Sequence, residues 1–412
     1  METVSIKDRE RLRSLAQLKL SFAHSKRNEE ILKQWEALAN GVKAEPTVRL
    51  LFSNFPDEVI EPRLVCEGKD ARELESEILW SMVGRELFND DTPISPNYEI
   101  NLDAEAVPFG ATSNVVYAKT AKGFHIEPIT DDIEADIDMF RGGSFRASME
   151  NTVKYRDWVN DIFGDILPAK ITGRCLLGPI TNPLVFLIGM ENYYLSMYDA
   201  PDSLHEIMEM ATQLYLDYYD YLEKENLLLP TNDYSFLAQE SFCFTNELPK
   251  DGPITSTKQV WGFLESQETT ACSPEAYGEF VYPYLDRLVK RFGLLSYGCC
   301  ERVDVLWEDY LSKWTNLRKL SVSPFNDGYK VGEYLRGTNV VYYSKPRAEY
   351  VTNRAGLEED VIRNYFKEVA ECASGCLFEV AQREVGTIYG DIERGRRYVE
   401  LAKQTINTHW KP

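Results

Sequence analysis

The chain of 412 residues carries 45 basic against 66 acidic side chains, a net charge of −21, with 44% apolar and 12% aromatic content. That excess of acid repels phosphate backbones and anionic lipid surfaces at long range, which excludes nucleic acid as a natural partner, and the apolar fraction is enough for a sizeable core. No stretch approaches the ~18 consecutive apolar residues of a membrane span and the charged N-terminus lacks the apolar run of a signal peptide, so a cytoplasmic protein with no membrane contact is expected, its eight cysteines reduced.

Residues 1 to about 45 have helical spacing: Leu12, Leu15, Leu18 and Phe22, then Ile31, Trp35 and Leu38, with Gly41 as the stop. Between 46 and 148, PTVRLLFSNFP reads as a strand and turn and ARELESEILWSMVGRELF as an amphipathic helix, followed by an acidic region punctuated by Pro and Gly. After about residue 150 short β-like runs alternate with helical stretches, the pattern of parallel strands with helical crossovers. ILPAKITGRCLLG (166–178) is a strand and loop; Asp199 is the expected cap of a helix opened by Pro201. LLLPTNDY (227–234) and VWGFLESQETT (260–270) are strand-to-loop junctions. Ser273-Pro274 starts a helix whose stripe runs Phe280, Tyr284, Leu288, Phe292. LLSYGCCE, LRKLSVSPFND, TNVVYYSKP and CLFEVAQREVG repeat the strand-end event. The expected architecture is a (β/α)8 TIM barrel over 151–412, with an α-rich N-terminal extension, 1–150, packed on it.

In such a barrel the strand ends gather at one face, where active sites sit. Position alone therefore nominates Asn232, Asp233, Gln267, Glu268, Cys299 to Glu301, Asn326, Asp327, Lys345 and Glu379 to Glu384. Cys299 and Cys300 are thiols that can bind zinc or attack a substrate. In an extended segment they point to opposite faces, whereas a bulge at Gly298 turns both inward. A metal needs further ligands, which Glu301, Glu384, Glu379 or Asp327 can provide. Gln267, Glu268 and Asp327 carry groups for acid–base work, or serve as helix caps. Lys345 neutralises an anionic substrate group or is a solvated strand-end lysine. The four histidines fall outside the strand ends, which disfavours a histidine-based metal centre.

Four stretches, GPITNPLVFLIGMENYYLSMYDAPDSLHEIM (178–208), SQETTACSPEAYGEFVYPYL (266–285), YGCCERVDVLWEDYLSKWTNLRKLSVSPFND (297–327) and VVYYSKPRAEYV (340–351), resemble the uroporphyrinogen decarboxylase superfamily, and within it the branch of corrinoid-linked methyltransferases. The resemblance implies a (β/α)8 barrel. In that branch a His-x-Cys strand end and a late cysteine hold zinc. Here the histidine position is Tyr297, Cys299 keeps the cysteine position, and the late cysteine position falls near Gly386 and Thr387. A zinc site therefore rests on Cys299, with Cys300, Glu301 and Glu384 as the substitute ligands. The arginine-bearing segment that marks the decarboxylase itself does not occur.

The resemblance implies an enzyme that moves a methyl group between a small methylated substrate and a corrinoid (cobalamin) carried by a partner protein, or a thiol acceptor, with Zn2+ as cofactor. Gln267, Glu268, Tyr297 and Asp327 are the expected catalytic groups, and Asn232, Lys345, Glu379 and Arg383 the substrate-binding ones. Two alternatives stand beside it: a decarboxylase or lyase in which Asp327 or Glu268 handles a proton and Lys345 or Arg383 holds a carboxylate, and a non-catalytic corrinoid- or tetrapyrrole-binding barrel. A homodimer is left open.

Overall fold

The computed structural model describes residues 1–117 and 123–412. Its centre is a parallel sheet of seven strands: β1 (Thr47–Leu50), β2 (Leu176–Leu177), β3 (Trp261–Leu264), β4 (Leu294–Tyr297), β5 (Leu317–Val322), β6 (Val341–Ser344) and β7 (Leu377–Gln382). They are hydrogen-bonded in the order β1-β7-β6-β5-β4-β3-β2. Every residue of β3, β4, β6 and β7 is buried, as expected of parallel strands covered on both faces. Helices follow the strands: Thr181–Asp199 and Pro201–Lys224 after β2, Gly328–Leu335 after β5, Glu359–Cys372 before β7, and Ile392–His409 at the C-terminus.

Local chemistry sets the helix ends. Ser5, Ser25 and Ser273 cap the helices Ile6–Ala23, Lys26–Ala39 and Pro274–Phe280, each accepting from a backbone N–H three residues on. The stripe from Phe280 to Phe292 is divided, because Pro283 forces a new start at Tyr282. Asp199 is not a cap: it ends one helix, and Pro201 opens the next directly after Ala200. Apolar side chains from Leu12 to Ile406 form one continuous cluster, and β1 comes from within the N-terminal 150 residues.

The parallel sheet and its helices agree with a TIM-like α/β fold, but the eighth strand expected of a barrel is not in the sheet among the described residues. Among the described residues no backbone ladder joins β1 to β2. The segment expected as a further parallel strand near 227–234 instead contributes to an antiparallel hairpin, Asp233–Leu237 against Ser241–Cys243. It is turned away from an extended path by a φ of 108° at Asp233. The hairpin occupies the opening. Leu237 clusters with Cys175, Trp261 and Phe263 on the β2–β3 side. On the other side Arg49 of β1 donates to the Glu240 carbonyl and lies 4.8 Å from the Phe242 ring.

The hairpin is fixed by a buried ion pair. Lys319 of β5 and Glu379 of β7 are 2.6 Å apart and almost wholly enclosed. Lys319 Nζ also donates to Ser241 Oγ and the Phe242 carbonyl, and Ser241 Oγ donates to the second Glu379 oxygen at 2.7 Å. Trp35, from the helix Lys26–Ala39, lies beneath, 5.1 Å from Lys319 Nζ and edge-on to Phe242. Among the described residues no helix is long and apolar enough to cross a membrane.

Replacing Lys319 alone with Met leaves Glu379 buried without its cation and is expected to cost about 3–5 kcal/mol, whereas Lys319→Met combined with Glu379→Leu recovers most of that loss. Urea unfolding of the two proteins checks the difference.

Candidate functional site

The site begins with an irregularity at the end of β4. Its pairing with β5 shifts register between Leu295 and Ser296, and Gly298 then takes a φ of 98°, a conformation that side chains resist. The turn brings both thiols to one side: Cys299 and Cys300 Sγ are 3.7 Å apart. Cys299 is buried and Cys300 half-buried. Glu301 pins the turn from below, accepting the Cys299 N–H at 2.6 Å and the Ser266 N–H at 2.8 Å. Ser323 Oγ donates to the Cys300 carbonyl at 3.0 Å.

Two cations from neighbouring strand ends face this turn. Arg383 Nη1, just past β7, lies 3.7 Å from Cys299 Sγ, and Lys345 Nζ, just past β6, lies 3.5 Å from the Gly298 carbonyl. Both donate to a single oxygen, Oε1 of Gln239, at the tip of the hairpin. Gln239 and Glu240 hold φ values of 65° and 59°. That conformation is costly for non-glycine residues and is secured by Arg49 at the Glu240 carbonyl and by Tyr343, whose hydroxyl donates to the Gln239 carbonyl at 2.7 Å. Arg383 Nε, also buried, has no partner among the described residues.

The electrostatics concentrate negative charge on one sulfur. A hydrogen bond from Cys300, and then the charges of Lys345 and Arg383, hold the Cys299 thiol well below the ordinary range despite burial. The same bond and burial push Cys300 well above it. Burial, followed by the nearby thiolate, raises Glu301 to about 7. Burial also raises Glu265, joined by the charges of Glu268 and Glu301. Lys345 is brought down by burial to about 8 even beside the thiolate. The constellation is a thiolate, a neutral donor thiol, two cations and two carboxyl groups, Glu301 and Glu265, raised above the ordinary carboxylate range.

Of the residues nominated from sequence, the structure brings together Cys299, Cys300, Glu301, Lys345 and Arg383. Glu268 borders them: it adds charge beside Glu265, and its oxygens accept from Thr181 Oγ1 at 2.7 Å and Asn182 Nδ2 at 2.8 Å. Gln267 is half-buried in the same turn. The others lie apart. Tyr297 points into the helical layer, bonded to Ser266 and Tyr277 at 2.8 and 3.0 Å. Asp327 is exposed and caps Gly328–Leu335 by accepting from Lys330 N. Asn232 is used by its own loop, at Thr245 and Leu248. Glu379 is the buried partner of Lys319, and Glu384 is exposed. Sequence reasoning missed Glu265 and Gln239. FLESQE carried the first signal, an acid directly after a strand; nothing in the sequence marks the second.

The residues do not fit the zinc site expected of them. Among the described residues no group of three or more His, Cys, Asp or Glu is placed to hold a metal. Both Glu301 oxygens are engaged with backbone N–H groups, and the positions around Cys299 Sγ are taken by Cys300 and a guanidinium. Elsewhere, a cavity of about 410 Å³ lined by Leu102, Cys175, Tyr215, Tyr218 and Leu228 contains none of these strand-end groups.

No family model and no curated protein matches the chain. Among solved structures, a methyltransferase from Methanosarcina mazei is similar at a TM-score of 0.50 and 11% identity, over 91% of this chain and 98% of that one. A likeness at that identity is one of fold.

Iodoacetamide is expected to alkylate Cys299 at pH 6, where an ordinary thiol near 8.5 is almost unreactive. In Cys300→Ala the pH midpoint of alkylation moves upward by about one unit or more, as followed by peptide mass spectrometry.

Proposed function

We propose that the protein is a methyltransferase that takes a methyl group from a small methylated substrate bearing an anionic group, with the Cys299 thiolate as the methyl acceptor within the chain. The observation that carries this reading is the thiolate beside two cations at the strand ends, the buried Lys345 and the half-buried Arg383. Lys345 and Arg383 face a neutral amide oxygen rather than a carboxylate, which leaves positive charge for a substrate carboxylate or similar anion to neutralise. A likeness in fold to a methyltransferase agrees with the reading.

In the transfer, a lone pair on Cys299 Sγ forms the S–CH3 bond as the bond from the methyl carbon to its heteroatom breaks. The heteroatom leaves with that electron pair and takes a proton from Glu265, whose carboxyl is held well above the ordinary carboxylate range by burial and then by the charges of Glu268 and Glu301. Binding of the anionic group by the two cations aligns the methyl group with the sulfur. A nucleophile outside the chain then forms its bond to the methyl carbon as the Cys299 S–CH3 bond breaks and the sulfur leaves with the electron pair as the thiolate; the cobalt of a corrinoid carried by a partner protein and the thiolate of a small thiol are the two acceptors proposed. A closed (β/α)8 arrangement, completed by the hairpin through side chains, is the architecture proposed to present this face to both.

A lyase reading draws on the same groups, with Lys345 and Arg383 holding a carboxylate and Glu265 supplying the proton to the carbon that loses CO2. Release of CO2 without label on the protein would favour it.

With deuterated methyl donors of the methoxylated and methylamine types, the tryptic peptide Phe292–Arg302 is expected to gain one labelled methyl group at Cys299, and Cys299→Ser to gain none. Gln239→Glu places a carboxylate against the two cations and is expected to raise KM for the anionic donor about tenfold or more, with a smaller effect on kcat; steady-state kinetics over a range of donor concentrations check the split.

A further inference from the structure

We propose that Cys299 and Cys300 are a peroxide-reactive pair, in which Cys299 is oxidised by a hydroperoxide and Cys300 resolves it to a disulfide between neighbouring residues. The inference concerns the same sulfur as the methyl transfer but rests on the geometry of the pair.

The turn at Gly298 removes the usual obstacle, that adjacent side chains diverge, and leaves the two sulfurs 3.7 Å apart. Cys300 is half-buried and gives a small oxidant a route to its buried neighbour. Arg383 Nη1, 3.7 Å from Cys299 Sγ, and Lys345 beside it are placed to stabilise the oxygen that departs. Cys66, Cys175, Cys272, Cys372 and Cys376 lack this environment, and burial pushes each of those thiols up, which favours the pair over these five as the place of oxidation.

The chemistry balances. The Cys299 thiolate attacks the outer oxygen of the hydroperoxide, the O–O bond breaks, and the alcohol, or water from hydrogen peroxide itself, leaves with a proton from Lys345. This gives Cys299 sulfenic acid. Cys300 sulfur then attacks Cys299 sulfur, the S–O bond breaks, and water leaves with the Cys300 proton. Two thiol groups supply the two electrons that reduce the peroxide. Consecutive Cα atoms across a trans peptide are about 3.8 Å apart, shorter than the roughly 4.4–6.8 Å usual for a disulfide. The ring is therefore strained and easily reduced by small thiols, which makes the modification reversible and lets it withdraw the site's nucleophile under oxidising conditions.

The full-length protein is treated with stoichiometric hydrogen peroxide, remaining thiols are blocked, and Phe292–Arg302 is analysed by mass spectrometry. The expected peptide has lost two hydrogens, is not blocked, and is restored by dithiothreitol. In Cys300→Ser and Cys300→Ala, Cys299 instead accumulates a sulfenic acid trapped by dimedone, and in Cys299→Ser peroxide consumption falls about tenfold or more. A dimedone adduct in the unsubstituted protein as abundant as in Cys300→Ser overturns the proposal, as does oxidation of other cysteines while this peptide stays unchanged. Gain of a methyl group and loss of two hydrogens are separate masses on the one peptide, so failure of either reading leaves the other measurable.

Discussion

The ion pair between Lys319 and Glu379 is the constraint from which the rest of the arrangement follows. Two charges withdrawn from water cost several kcal/mol each unless their remaining hydrogen-bonding capacity is met. β5 and β7 bring the pair together, yet neither strand supplies the extra acceptors Lys319 needs or the donor Glu379 needs. Ser241 and the Phe242 carbonyl supply them. The hairpin is thus bound to the sheet interior at its Ser241 end, where no backbone ladder joins β1 to β2 among the described residues. The opening in the sheet and the reach of Gln239 to the strand ends share one cause.

At the strand ends the same accounting applies to negative charge. Cys299, Glu301 and Glu265 lie close enough to oppose one another's ionisation, so they do not share charge equally. The sulfur wins because its stabilisation is the most specific: a thiol donor at 3.7 Å and a guanidinium at 3.7 Å. Glu301 receives two backbone N–H groups, which favour its carboxylate, but complete burial outweighs them. The cations take the electrostatic role that a metal has beside a thiolate, and in doing so occupy the space a metal's other ligands would need.

Much of this was legible in the sequence wherever a local rule decides the outcome. The alternation after residue 150 gave β3 to β7 and their helices, since parallel strands must be apolar throughout and their crossovers amphipathic. Gly298 marked the place where two cysteines turn to one side, and Lys345 and Arg383 stood at strand ends where they indeed converge. What failed depends on contacts distant in sequence. Nothing near 227–243 reports that Ser241 will complete an ion pair between residues 319 and 379, so the sequence shows only a strand-to-loop junction at 227–234 and no hairpin. Asp327 and Tyr297 occupy strand ends too, but one caps a helix and the other faces the outer layer, a choice made by bulge and register rather than by residue type.

Gln239 shows how the two regions are coupled. Its hairpin is anchored at Ser241, two residues away, while its tip carries two successive left-handed residues. Such strain persists only where surrounding contacts over-determine it, and here those contacts are neutral: an amide oxygen for the two cations, carbonyls for Arg49 and Tyr343. An anionic group forms stronger, charge-assisted hydrogen bonds to Lys345 and Arg383 than an amide does. The anchored end stays in place because its own partners are charged and enclosed. The contacts an anion can replace are thereby confined to the hairpin tip beside the thiolate, while the Ser241 end is held by the enclosed Lys319 and Glu379.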